Sequence, residues 1–244
     1  MLSSETILIS GASGAIGLAI AKEALECGAQ VILGYHQNVD PCSELIQSYP
    51  EKGTLLPLDL TSFSTIQNVF EQHSELLSSV AGLVNCSGIH HAGPLISMSE
   101  DEIVTQLQLN LGGAIFLTQA VLKSMIRKRR GSIVHLGSVS AHRMTRGHSV
   151  YSATKAALEG FCRSLASEVA KRGIRVNCVQ PGPVMSKMLA ESIELTGDNP
   201  ASRVPINRLV EASEVAKMVA HLLGPDSRAI TGATIPVDGG YLLW

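Results

Sequence analysis

The sequence is short of aromatic residues: four Phe, four Tyr and one Trp make up 4% of its 244 residues. A core with so few large rings must be filled by aliphatic side chains, as in a parallel sheet covered by helices. Cysteines are few and scattered. Cys27, Cys42, Cys86, Cys162 and Cys178 are odd in number and form no C-x-x-C pair, which argues against both a zinc site and a disulfide framework. We therefore expect reduced thiols, a cytoplasmic protein and no metal centre. Neither sign of charge dominates. With 19 basic and 21 acidic residues the net charge is −2, so no global field invites a nucleic acid. No apolar run approaches a membrane span, and MLSSETILISGASG does not look like a signal peptide. Neither nucleic acid nor membrane is an expected partner.

Short apolar runs alternate with helically spaced stretches along the whole chain. Thr6–Ser10, Gln30–Tyr35, Thr54–Leu60, Val80–Asn85, Ser132–Leu136, Arg175–Gln180 and Thr234–Val237 have the length and β-branched content of buried strands. Between them lie helical patterns at Ser62–Ser79, Ser99–Arg129 (read as two helices), Val150–Lys171 and Val210–Leu223. This alternation predicts an α/β fold, a doubly wound, mostly parallel sheet of about seven strands flanked by helices. No linker, repeat or low-complexity run divides the chain, so residues 1–244 form one expected domain. Its cofactor half is about 1–130 and its catalytic half about 131–244. Val184–Val204 is helix-like but interrupted by Gly197, Asp198, Asn199 and Pro200, which suits a lid.

The glycine turn GASGAIG at 11–17 follows the first strand and precedes a helical pattern. Glycines let a backbone approach a pyrophosphate, and the helix N-terminus supplies N–H donors to it. At the carboxyl end of the second strand lie Gly34, Tyr35, His36, Gln37 and Asn38, and the nearest carboxylate is Asp40. An acid at this place would grip a ribose 2′-hydroxyl. Its absence removes repulsion against a 2′-phosphate, which His36 could pair with, so NADP(H) is the preferred cofactor and NAD(H) the alternative. Asp59, read at the end of the third strand, could meet the adenine.

The stretch from Ser138 to Lys155, SVSAHRMTRGHSVYSATK, carries the chemistry. Ser138 follows a strand, at the carboxyl edge where open α/β sheets bind ligands. Tyr151 and Lys155 are an i, i+4 pair that shares one helix face. A hydroxyl, a phenol and an ammonium make a proton-transfer site: a free tyrosine ionises near pH 10, and a neighbouring cation favours the phenolate. Asn110, beside Leu111-Gly112-Gly113 inside a helical pattern, fills a gap or has a polar task.

Taken in order, these motifs resemble the short-chain dehydrogenase/reductase family over essentially the whole chain. The family's T-G-x-x-x-G-x-G corresponds to Ser10-Gly11-Ala12-Ser13-Gly14-Ala15-Ile16-Gly17, and its N-N-A-G to Asn85-Cys86-Ser87-Gly88. Pro181-Gly182 and Val237-Asp238-Gly239-Gly240 match its later motifs. The resemblance implies Asn110, Ser138, Tyr151 and Lys155 as catalytic residues. Tyr151 would donate the proton, Ser138 orient the carbonyl, Lys155 hold the nicotinamide ribose, and Asn110 carry a relay water. It also implies cofactor contacts from Gly11, Ser13, Ala15, Ile16, Gly17, Tyr35, His36, Asp59, Leu60, Asn85, Ser87, Gly88, Tyr151, Lys155, Pro181, Gly182, Val184 and Ser186.

The chain departs from the pattern at four places. Ala15 adds a methyl where the family prefers glycine, Gly14 stands where many NADP-dependent members have a cation, Cys86-Ser87 alter the N-N-A-G core, and Ser186 stands where many members have a threonine near the nicotinamide carboxamide, a bond its hydroxyl could also make. Within the family, S-x-Y-S-A-T-K-A-A-L-x-G-F and the VDGG ending look most like 3-oxoacyl-acyl-carrier-protein reductases. That likeness implies a 3-oxoacyl thioester reduced to the (3R)-hydroxyacyl product, an acyl carrier protein as partner, and a homotetramer. It also implies carrier contacts from Arg129, Arg130 and Arg172. The loop Ala141–Val150, with Arg143, Arg146 and His148, reads as a basic substrate loop. Gly240-Tyr241-Leu242-Leu243-Trp244 reads as a contact tail. The alternatives are another carbonyl reductase or alcohol dehydrogenase, or a non-catalytic dinucleotide-binding protein.

Overall fold

The computed structural model describes residues 2–3, 5–186, 189–190, 193–194 and 200–243. Seven strands form one sheet: β1 (Thr6–Ser10), β2 (Gln30–Tyr35), β3 (Gly53–Pro57), β4 (Val80–Asn85), β5 (Gly131–Leu136), β6 (Ile174–Pro181) and β7 (Thr234–Val237). Every pair is parallel, in the order β3-β2-β1-β4-β5-β6-β7. The chain winds outward from β1 through β2 and β3, then returns to β1's other side with β4. The order therefore reverses beside β1, and a crevice opens there at the strands' carboxyl ends.

Side-chain alternation in β1 shows how the layers arise. Ile7 and Ile9 belong to one apolar cluster, with Ile20 and Leu25 of α1 (Ala15–Glu26) and Val215, Val219 and Leu222 of the last helix (Ala212–Leu223). Leu8 points the other way, into a cluster with Leu83, Leu117, Val121, Met125, Cys162 and Leu165. Burial on both faces is why the strands read as nearly continuous apolar runs.

In chain order between α1 and the last helix come α2 (Asp40–Gln47), α3 (Phe63–Gln72), α4 (Ser74–Ser78), α5 (Glu100–Leu107), α6 (Ala114–Lys128) and α7 (Ser149–Val169); the last helix is α8. The structure corrects several boundaries. The third strand pairs with β2 only to Pro57, with one last hydrogen bond from the Leu58 N–H to the Tyr35 carbonyl at 2.6 Å, so Asp59 lies in the loop beyond. The Ser62–Ser79 pattern breaks at His73 into α3 and α4, and α2 had no reading in the sequence.

The Ser99–Arg129 segment is two α-helices joined in line by a π-helical turn, Gln108–Gly113. The whole of Glu100–Lys128 is long and apolar enough to cross a membrane. Here Leu117, Val121 and Met125 bury that apolar face in the core. Of the lid, Val184 bridges Val210 and Pro200–Arg203 forms a 3-10 turn. Gly197, Asp198 and Asn199, like Trp244 of the tail, lie outside the described residues.

Candidate active site

A cavity of about 410 Å³ opens at the carboxyl ends of β1, β4, β5 and β6. It brings together Gly11, Ala15, Ile16, Gly17, Gly88, Ser138, Tyr151, Lys155, Pro181, Gly182, Val184 and Ser186. The glycine turn forms one end. Gly11 adopts φ +66°, and a Cβ there would stand 2.8 Å from the Ser87 nitrogen. A Cβ on Gly17 would stand 2.2 Å from the Gly11 carbonyl oxygen, so both positions require glycine. Helix α1 starts at Ala15 without a side-chain cap and without an acid in its first turn. Its uncapped N–H groups suit an anionic pyrophosphate. Ala15 is exposed and lines the cavity.

The central stretch forms the cavity's middle. Ser138 is buried just past β5, and its Oγ accepts a hydrogen bond from the Ser140 N–H at 3.1 Å. One turn apart on α7, Tyr151 and Lys155 face the same space, with Lys155 Nζ 5.7 Å from the phenol ring's centroid. Lys155 is 5% exposed, and its ammonium donates to the Leu136 carbonyl at 2.8 Å. Among the described residues no carboxylate pairs with it. A buried ammonium with donors to spare calls for oxygen-rich partners, such as ribose hydroxyls and a phenolic oxygen.

Asn110 lies behind the cavity wall. It sits in the π-helical turn, and such a bulge re-aims side chains, often at functional sites. Its Oδ1 accepts from the Ile89 N–H at 2.8 Å, while its Nδ2 donates to the Ile89 carbonyl at 2.9 Å and to Thr154 Oγ1 at 3.2 Å. A Cβ on Gly88 would stand 3.2 Å from Asn110 Oδ1 and 3.5 Å from Lys155 Nζ. Asn110 therefore fixes the loop after β4 beside Lys155.

A buried network that the sequence did not reveal supports Ser138 from below. Glu159, 3% exposed on α7, accepts from Gln180 Nε2 on one oxygen and lies 2.9 Å from His142 Nε2 on the other. The same Gln180 amide reaches the Ser138 carbonyl at 3.5 Å.

Of the other expected contacts, Asn85, Ser13, Ser87, Tyr35, His36, Asp59 and Leu60 do not line the cavity. The Asn85 side-chain amide faces the core, donating to Thr118 Oγ1 at 3.0 Å and lying 3.1 Å from His135 Nδ1. Its place on paired β4, between Ser10 and His135, turns it there. Ser13 is part of the turn without lining the cavity, and Ser87 contributes backbone against Gly11. Tyr35 ends β2 and the exposed His36 follows it; Asp59 Oδ1 accepts from the Thr61 N–H at 2.8 Å, and Leu60 is buried. Ser186 Oγ accepts from the Leu189 N–H at 3.2 Å, which leaves its own hydrogen available.

Arg129 and Arg130 precede β5 and Arg172 precedes β6, so all three stand at the strands' amino ends. The length of β5 separates them from Ser138, about 20 Å for six residues. Arg130 pairs with Glu5, and Arg129 donates to the Lys171 carbonyl at 2.9 Å. In the substrate loop, Arg143 donates to the Tyr241 carbonyl and stacks 4.0 Å from that ring's centroid. Burial pushes the His148 imidazole's pKa below its ordinary value, so it adds no cation. Among the loop's residues, Arg146 is the arginine that lines the cavity.

The family model described as enoyl-(acyl carrier protein) reductase matches residues 11–242, and the chain belongs to the short-chain dehydrogenase/reductase family. It is an oxidoreductase of that family, a ketoreductase using a nicotinamide dinucleotide. Among curated relatives, the 3-oxoacyl-acyl-carrier-protein reductase FabG of Pseudomonas aeruginosa is 35% identical over 99% of both chains. The FabG of Haemophilus influenzae is 38% identical over 97% of both. An actinorhodin polyketide ketoreductase solved with NADPH superposes with a TM-score of 0.91 at 30% identity, covering 99% of this chain and 98% of its own.

Proposed function

We propose that the protein reduces a 3-oxoacyl thioester to the (3R)-3-hydroxyacyl thioester with NADPH. The observation that carries this reading is that Ser138, Tyr151 and Lys155 share one cavity with the glycine cradle of residues 11–17. Gly11, Ala15, Ile16 and Gly17 would hold the pyrophosphate, Lys155 the nicotinamide ribose, and Val184 and Ser186 the carboxamide. The bound dinucleotide supplies hydride to the carbonyl carbon. Ser138 holds the carbonyl oxygen, and Tyr151 delivers a proton to it as negative charge develops. The Lys155 ammonium, fixed by the Leu136 carbonyl, faces the phenolate that results, a preorganised charge that needs no rearrangement during the step. Asn110 holds the Ile89 backbone so that Gly88 and Lys155 keep their places. The FabG relatives, matched end to end, support the thioester class.

The test is NADPH and NADH oxidation with acetoacetyl thioesters, a crotonyl thioester and a panel of simple ketones. The reading expects turnover of the acetoacetyl thioester with NADPH favoured. Good turnover of another ketone without it would instead support the second reading, a carbonyl reductase of a different substrate. The apolar wall made by Leu189, Ile193, Pro200 and Tyr241 accommodates either.

An acyl carrier protein is the proposed delivery partner. Since Arg129, Arg130 and Arg172 stand at the opposite edge, we assign the first contact with the acidic carrier to the exposed, cavity-lining Arg146. Arg146→Glu should raise KM for a carrier-bound substrate more than for a short thioester. We further propose a homotetramer, to be read by light scattering. A reducing, cytoplasmic setting is proposed from the five free cysteines, to be checked by fractionation.

A further inference from the structure

Two histidines stand against Tyr151 in the cavity wall without a hydrogen bond to explain them. His90 follows β4, and His148 immediately precedes α7. The His90 ring lies 4.3 Å from that of His148 and 4.7 Å from the phenol of Tyr151, while His148 lies 6.3 Å from the phenol, all between centroids. Both line the cavity. His90 Nε2 and His148 Nδ1 are buried and, among the described residues, have no hydrogen-bond partner.

Buried polar atoms are normally satisfied, so two orphans beside a reactive phenol call for a reason. Among the described residues these imidazoles are held by ring contacts and by no side-chain hydrogen bond, and the last torsion of histidine is broad. Each can turn a nitrogen toward a ligand in the cavity. We propose that His90 and His148 form a polar subsite that hydrogen-bonds the second carbonyl oxygen of a 1,3-dicarbonyl substrate. This rests on Tyr151 being the proton donor to the first carbonyl.

Position and chemistry select that group. The rings pack directly on the phenol, so the recognised oxygen lies close to the reacting carbon rather than at a remote head group. Burial, then the neighbouring His148 and His91, push the His90 pKa down to about 4, and burial lowers that of His148. The pair is neutral near pH 7 and offers hydrogen bonds without charge, which fits a carbonyl better than a carboxylate. The apolar wall of Leu189, Ile193 and Tyr241 then takes the substrate's hydrocarbon.

The test compares two ligands that differ in one oxygen, 3,3-dimethylpentane-2,4-dione and 3,3-dimethylpentan-2-one, bound to the enzyme loaded with oxidised cofactor. Wild type should bind the dione about 10- to 100-fold tighter, as one or two buried hydrogen bonds would give. In the double variant His90→Phe, His148→Phe, which keeps rings and loses nitrogens, that ratio should fall to near one. His148→Gln, which restores hydrogen-bonding atoms, should recover part of it. Equal binding of the two ketones by wild type, or a preference that survives the double variant, would overturn the subsite. So would tighter binding of acetoacetate than of the dione, since an anion would then be held by a cation lining the cavity and not by the neutral imidazoles. The dione ratio is read without turnover, so a failure to reduce thioesters would remove the proposed substrate and still leave the subsite judged on its own result.

Discussion

Asn110 takes up both hydrogen-bonding groups of one residue, Ile89: it accepts from the N–H at 2.8 Å and donates to the carbonyl at 2.9 Å. The peptide groups of Ile89 have this amide where a strand would offer another backbone, and Lys155 stands alongside. Asn110→Ala leaves both groups unpaired in a half-buried place, at about 1–3 kcal/mol each. We expect a lower urea midpoint together with a lower kcat. Asn110→Asp keeps the acceptor and sets a carboxylate against the Ile89 carbonyl. It should be the worse enzyme at neutral pH, and wild-type-like rates from it would contradict the clamp.

Glu159 supports Ser138 through Gln180, which bonds both the carboxylate and the Ser138 carbonyl. Misplacement of a catalytic group by about 1 Å can cost 10²-fold in rate. Glu159→Ala should therefore lower kcat by roughly tenfold or more, while Glu159→Gln, which retains an oxygen acceptor, should lie closer to wild type. Steady-state kinetics of the two variants decide the matter. If both matched wild type, the network would be only packing.

Tyr151→Phe removes one hydroxyl. A positioned general acid contributes about 10²–10⁴-fold, and kcat should fall by that much. NADPH binding, followed by fluorescence titration, should change little. An undiminished rate would remove Tyr151 from the mechanism.

The two glycines of the turn that lie near one another in sequence should respond differently to a methyl. At Gly17 a Cβ meets the Gly11 carbonyl at 2.2 Å, backbone against backbone, whereas at Gly14 the nearest atom is 3.4 Å away. Overpacking of this kind costs about 1–3 kcal/mol. Gly17→Ala should weaken cofactor binding about tenfold or more, while Gly14→Ala is tolerated. Calorimetric titration of both variants with NADPH distinguishes them.

His135 is fully buried, and burial foremost, then the Lys155 charge, pushes its pKa down to about 3. The unfolded chain's histidine takes up its proton near pH 6.5, so acid favours the unfolded state. The stability associated with neutral His135 is complete above about pH 6.5 and is lost as pH falls from there toward 3, by about 1.4 kcal/mol per pH unit. Unfolding in urea at pH 7, 6 and 5 should show this slope. In His135→Leu the slope should be shallower by one proton; an identical slope would mean that the imidazole is charged in the fold.

The sequence by itself determined the alternating architecture, because burial on both sheet faces writes apolar runs into each strand and a period of 3.6 into each helix. It also determined the glycine turn and the pairing of Tyr151 with Lys155, since neighbours four apart on a helix share a face wherever that helix lies. Only the tertiary structure decided which polar groups meet. Asn110 with Ile89, Glu159 with Gln180 and His90 with His148 are distant in sequence, and their contacts depend on strand register and on a π-helical turn that leaves no periodic signal. The same holds for charge: the strands' direction sets Arg129, Arg130 and Arg172 at the amino-end edge of the sheet, opposite the cavity. Local pattern records which face of an element is buried; where a side chain ends, and what it finds there, follows from how the elements pack.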